Sequence, residues 1–276
     1  MDAVFFPPGK SANVLRGAFG TVLGASATPA EYSRLFRPGR ALGESPSGLA
    51  DWPRPFIFRA SHLDGISIPE GGRFFVDVHV FDLRTSVLPH FRATFEQLAT
   101  HGIGPGRGRA QLERIEQLDL EDHPELAAAE PSAPASISLD ADGQPASRVR
   151  VRFLTPTELK SDGRVSQRPD FGVLFGRLRD RISTLRSLYG AEPYHLDYRG
   201  LADRAAQVAL KDYRLAWEHV ERRSGRTGQV HPLGGFTGTA EYEGELAEFL
   251  PWLRAARWVG VGRQTVWGKG DVRVLP

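Results

Sequence analysis

Residues 260–270 read GVGRQTVWGKG, four glycines in a G-x-G-x5-G-x-G frame with Arg263 and Lys269 inside it. Paired glycines allow positive φ and close approach of the backbone to a neighbour. Successive N–H groups in such a turn form a concavity for an anion. The frame is not a nucleotide phosphate loop, because Lys269 is followed by Gly270 and Asp271. Nor is it a dinucleotide fingerprint, which lies between a strand and a long helix. Here a helical pattern precedes the loop, and the strand-like DVRVL follows it. Two readings stand at this point: an ordinary glycine turn between helix and strand, or an anion-binding loop.

Working outward, residues 148–276 hold RVRVRFL as an alternating strand and Phe171–Leu188 as a helix with Leu174, Leu178, Ile182 and Leu185 on one face. Val208–Val220 alternates again, RRSGRTGQ forms a polar tip, and GGFTGTAEYEG returns as the second arm of a hairpin. A short helix over Leu246–Ala256 leads into the glycine loop and the last strand. Residues 1–118 repeat the plan. Asn13–Leu23 and Pro29–Phe36 read as helices, PFIFRA and RFFVDVHVF as strands, Val87–His101 as a helix and AQLERIEQL as a final strand. A second glycine run, HGIGPGRGR (101–109), falls at the place matching GVGRQTVWGKG. The spacing predicts an α+β chain of two tandem ferredoxin-like (RRM-like) βαββαβ domains, residues 1–118 and 148–276. The acidic, Ala-Pro-Ser-rich segment 119–147 joins them as a linker. The first strand, DAVFF, is very short, so either the start lies upstream or another segment takes its place.

The composition is that of a water-soluble globular chain, with 41% apolar and 25% charged residues. No apolar run reaches the ~20 residues of a membrane span, and no signal peptide opens the chain, so a cytoplasmic protein without membrane contact is expected. Cysteine is absent, which excludes disulfides and thiolate metal sites. Thirty-one of the 35 cations are arginine. Residues 1–145 carry net charge −5 and residues 146–276 carry +7. A basic half rich in arginine suits a polyanion partner, although codon bias alone also raises arginine.

Four stretches together resemble the CRISPR-associated endoribonucleases of the Cas-six family, in the RAMP superfamily. They are SANVLRGAFG (11–20), PSGLADWPRPF through the first glycine loop to Arg109, FLTPTELK (153–160), and LGGFTGTAEYEGELAEFLPWLRAARWVGVGRQTVWGKG (233–270). The resemblance covers nearly the whole chain except the linker. It implies tandem ferredoxin-like domains, binding of CRISPR repeat RNA and precursor crRNA, and contact with other CRISPR effector subunits. It also implies cofactor- and metal-independent cleavage by ribose 2′-OH attack, leaving a 2′,3′-cyclic phosphate and a 5′-hydroxyl. Lys269 departs from the family frame, where an apolar residue is usual.

Many members of the family carry a catalytic histidine near the first helix, yet residues 11–54 contain none. The candidate catalytic set is therefore Tyr32, Lys10, Arg34 and Arg37, with His62 in reserve. Arginine stabilises a phosphorane but is no base at neutral pH, whereas lysine or tyrosine becomes one when desolvated. The candidate RNA-binding set is Gly260, Gly262, Arg263, Gly268, Lys269 and Gly270 of the loop, Arg222, Arg223 and Arg226 of the hairpin tip, and Lys160, Arg107 and Arg109. Trp267 is either a base-stacking or a core residue. No acidic or histidine cluster has metal-ligand spacing. The missing histidine leaves a second reading open, a non-catalytic crRNA-binding RAMP protein on the same scaffold.

Overall fold

The computed structural model describes every residue except 1, 42–51, 83–86, 126–132, 142, 162, 191, 193, 224–227, 229 and 276. The N-terminal half runs β1 (Val4–Phe5), α1 (Ser11–Ser26), α2 (Pro29–Phe36), α3 (Pro38–Ala41), β2 (Phe56–Arg59), β3 (Ser67–Ile68), β4 (Asp77–Val80) and α4 (Leu88–His101). The C-terminal half runs β5 (Arg148–Thr157), β6 (Lys160–Ser161), β7 (Arg164–Val165), α5 (Phe171–Tyr189), α6 (Tyr198–Gln207), β8 (Ala209–Glu218), β9 (Glu221–Arg223), β10 (Val230–Pro232), β11 (Gly235–Glu243), α7 (Leu250–Val259) and β12 (Val272–Leu275).

Strict alternation makes β5 a two-faced strand: Val149, Val151 and Phe153 are buried while Arg148, Arg150 and Arg152 are exposed. It lies inside a four-stranded antiparallel sheet of order β12-β5-β11-β8. Helices α5 and α7 cover the buried face, where Phe171, Phe175, Phe249 and Trp252 pack on Phe153, Tyr242 and Val272. Connectivity and strand order are those of a split β-α-β unit.

The N-terminal half departs from that plan. Among the described residues β2 pairs only with β4, and β1 only with β3. RFFVDVHVF shrinks to Asp77–Val80, and AQLERIEQL enters no named strand. Its apolar residues Leu112, Ile115 and Leu118 fall three apart and none is fully buried, so no strand face exists to bury. The half is held instead by aromatic packing: Phe19 lies 4.6 Å from Phe91 and under 6 Å from Phe36, Phe56 and Phe58, ring centre to ring centre. Helix α2 carries a full capping box, Thr28 with Glu31. Beyond the residues expected to form strands and helices, α6 and the small β6–β7 hairpin appear. In the expected linker, Ile137 and Leu139 rest on the C-terminal core.

Candidate nucleic-acid interface

The two glycine loops share one entry geometry. Helix α4 ends on Gly102 (φ 74, ψ 166) and α7 on Gly260 (φ 69, ψ 170). Two residues on, Gly104 and Gly262 take φ 76 and 77. The intervening residues, Ile103 and Val261, are buried and donate N–H to the carbonyls of Gly108 (2.8 Å) and Gly270 (3.0 Å). The repeated motif thus opens both loops alike, but only the second has positive φ at its closing glycines, Gly268 and Gly270.

The second loop is not an open cradle, as a surface reading would require. Gly260, Gly268, Lys269 and Gly270 are buried, and their φ values are taken up by protein neighbours. A Cβ on Gly270 would meet the Val261 carbonyl, one on Gly262 the Glu158 carbonyl, and one on Gly268 the Ala12 side chain of α1. Val261 belongs to the C-terminal core and Val266 to the N-terminal core. The glycines let one loop graft two cores at close approach. The loop cations are correspondingly engaged. Arg263 is paired with buried Glu158 at 2.6 Å. Lys269 is 3% exposed and donates to the Gly9 carbonyl at 2.8 Å, and burial lowers its pKa from the usual lysine value. Trp267 is half-buried on the N-terminal core beneath Arg16, whose guanidinium lies 5.5 Å from the ring.

The start of α1 is tightly fixed. Ser11 donates its N–H to Asp64 (2.9 Å), and its hydroxyl, with one proton to give, lies within hydrogen-bond reach of both the Ala60 carbonyl (2.7 Å) and Asp64. Asp64 therefore already occupies the positive end of the helix dipole. In the same turn, Ser61–Leu63, sits His62. Its Nε2–H donates to the Phe75 carbonyl at 2.9 Å and its exposed ring stacks on Phe75 at 4.3 Å. That bond fixes the orientation of the ring and leaves Nδ1 outside it. The root of the long hairpin packs nearby: Val220 stands 3.4 Å from where a Cβ on Gly9 would lie, and Gln264 donates to the Pro232 carbonyl at 2.6 Å.

The expected catalytic set does not converge. Lys10 precedes α1, whereas Tyr32 packs at Gly24, near the other end of the helix. Fourteen residues of helix separate the two levels by about 21 Å. Arg37 lies over the Tyr32 ring at 5.6 Å, and Arg34 is committed to buried Asp82 at 2.6 Å. One scissile phosphate cannot touch all four. Of the other cations, Arg109 pairs with Asp2 at 2.8 Å, Arg107 is exposed with φ 50, and Lys160 is half-buried on β6. Arg222 and Arg223 lie on β9, paired with β10, and Arg226 lies outside the described residues. Among the described residues no three His, Cys, Asp or Glu side chains converge as a metal site.

Sequence reading missed how the halves meet at the C-terminus of α7. Its last carbonyls take side-chain donors from three other elements. Arg59 of β2 reaches Arg257 (3.3 Å), His79 of β4 reaches Trp258 (2.7 Å), and Arg181 of α5 reaches Val259 (2.6 Å). These carbonyls lack intrahelical partners. Burial, with Arg59 nearby, pushes the His79 pKa down to about 4, so the imidazole is neutral. Burial likewise brings Arg181 down to about 9. Hydrophobic residues in a strand and helix were legible beforehand, but a polar contact between distant segments leaves no local signal.

The arrangement is that of an α+β protein whose two halves are grafted by a glycine loop beside a helix N-terminus and a long hairpin. Residues 151–272 match the family described as CRISPR-associated endoribonuclease Cas6, and residues 2–136 match a family described as an N-terminal domain. The C-terminal half thus matches the Cas6 family of CRISPR-associated endoribonucleases over residues 151–272. A Thermus thermophilus Cas6 (TTHB231) superimposes with TM-score 0.55 at 20% identity, over 99% of this chain and 95% of that one. A product complex of the TTHB231 Cas6 gives TM-score 0.60 at 20% identity, over 99% and 96%. A chain of a structure described as a partial Cas6-RT-Cas1–Cas2 complex gives 0.57 at 12% identity, over the whole of this chain and 44% of that one. At these identities the structures establish the fold. No curated protein matches in sequence. No helix among the described residues is long and apolar enough to cross a membrane.

Proposed function

We propose that the chain binds CRISPR repeat RNA and cleaves precursor crRNA without a metal, the ribose 2′-OH attacking its own 3′-phosphate. On this reading the N-terminal half is a second, eroded ferredoxin-like domain. The observation that carries the chemistry is His62: an exposed imidazole, aimed by a backbone carbonyl, in the turn that fixes α1 beside Lys10. A base held by an orienting partner is the arrangement proton transfer requires. His62 Nδ1 removes the 2′-OH proton and Lys10 stabilises the charge added to the phosphorus. The bond to the 5′-oxygen breaks and that oxygen takes up a proton from solvent, giving a 2′,3′-cyclic phosphate and a 5′-hydroxyl. Tyr32 and Arg37 then contact RNA farther along α1, and the hairpin arginines contact its backbone. Other CRISPR effector subunits would receive the product.

The test is incubation with cognate repeat RNA in EDTA. The expected products are those two ends. RNA that shifts in a gel and stays intact would instead favour the non-catalytic crRNA-binding protein, the reading that a chain without the usual histidine invites.

A further inference from the structure

The open face of the four-stranded sheet carries a charge pattern that the cleavage site leaves unused. Arg148 and Arg150 of β5 are neutralised across the ladder, by Glu243 at 3.3 Å and Glu241 at 2.9 Å. The next outward residue, Arg152, is not. It stands opposite Arg273 of β12 on one side and Thr239 of β11 on the other, and Thr239 stands opposite Arg214 of β8. One register row, about 14 Å across four strands, thus holds three arginines and no carboxylate. Arg152 and Arg214 are exposed, and neither pairs with a carboxylate among the described residues. At the β12 end the row runs on through Asp271, 3.1 Å from Arg273, to Arg59. Arg59 is 6% exposed, and its Nε and Nη1 have no hydrogen-bond partner among the described residues.

Like charges directly opposite each other on a sheet destabilise it, so the row costs the free protein stability and suits a ligand carrying regularly spaced negative charge. The outward positions of β5 and β11 (Arg148, Arg150, Arg152 and Leu154; Thr237, Thr239, Glu241 and Glu243) include no aromatic side chain. Without a stacking platform the row reads phosphate rather than base. We propose that it binds the sugar-phosphate backbone of single-stranded RNA flanking the segment held at α1, independently of base sequence. This rests on the RNA-processing reading above.

The test compares the protein with its Arg152→Thr, Arg214→Thr double variant on three probes: the repeat RNA with its single-stranded flanks, the same RNA with scrambled flanks, and the RNA without flanks. The variant should bind both flanked RNAs at least tenfold more weakly. Its salt slope should fall by about 1.4, at ~0.7 for each single-strand phosphate contact. The flankless RNA should be bound and cut as before. The thermal midpoint should be unchanged or raised, since a repulsive pair is gone. Unchanged affinity and slope on flanked RNA, with flankless cleavage intact, would overturn the row and leave the cleavage reading standing. Equal loss on all three probes would place the row in the cleavage site and overturn its separate role, and loss confined to native flanks would overturn sequence independence. If the unaltered protein neither binds nor cuts the flankless RNA, both readings fall.

Discussion

Gly268 shows why a motif and its role are different questions. Its φ of 78 is left-handed, and its missing side chain leaves room for Ala12 of the first helix. Gly268→Val should therefore act as overpacking in a core, destabilising by roughly 1–3 kcal/mol plus the strain of positive φ. A thermal melt checks this; a variant that melts normally but loses RNA would return the loop to the RNA surface. His62 carries the opposite expectation. Single-turnover cleavage by His62→Ala should fall ~10²–10⁴-fold, the usual worth of acid–base catalysis, with affinity for the repeat unchanged. If that rate holds while Tyr32→Phe or Arg37→Ala loses it, the chemistry lies at the other end of α1.

Among elements, the C-terminus of α7 is where the halves are latched by hydrogen bonds. His79 is the titrating part of that latch. Its folded pKa, near 4, lies below the unfolded value of about 6.5. At higher pH both states are neutral and the latch is at full strength. As pH falls from about 6.5 towards 4, the unfolded chain gains a proton that the folded chain refuses, and stability declines by up to ~1.4 kcal/mol per pH unit. Below 4 the folded imidazole protonates too and the decline from this group ends. Urea midpoints across that range should show the slope. His79→Asn, which keeps a donor but does not titrate, should flatten it.

For the whole molecule, two hydrophobic cores are held in register by one loop that contributes Val261 to one and Val266 to the other. Tyr189 at the end of α5 adds a bond to the Pro53 carbonyl at 2.6 Å. The site proposed above would be composite, with Lys10 and His62 from the N-terminal half and, packed at Gly9 just before α1, Lys269 of the loop and Val220 of the hairpin root from the basic C-terminal half.

Much of this was legible in order along the chain. Alternation in RVRVRFL specified a two-faced strand, the 3–4 spacing of leucines specified α5, and the doubled glycine run marked equivalent turns, because each is a local pattern with a fixed period or backbone angle. AQLERIEQL failed as a strand because its apolar residues, three apart, lack the two-residue period of a half-buried strand, and only its neighbours decide whether it is paired. The distance between Lys10 and Tyr32 could not be read either. Helix length was predictable, but α2 packs against the far end of α1 through Phe36 and Tyr32, and that placement is a tertiary contact. The roles of the cations were hidden for the same reason. A sequence counts Arg263 and Lys269 as free positive charges. Only the folded chain brings Glu158 and the Gly9 carbonyl to them, and leaves Arg152 and Arg214 facing solvent with no carboxylate in their row.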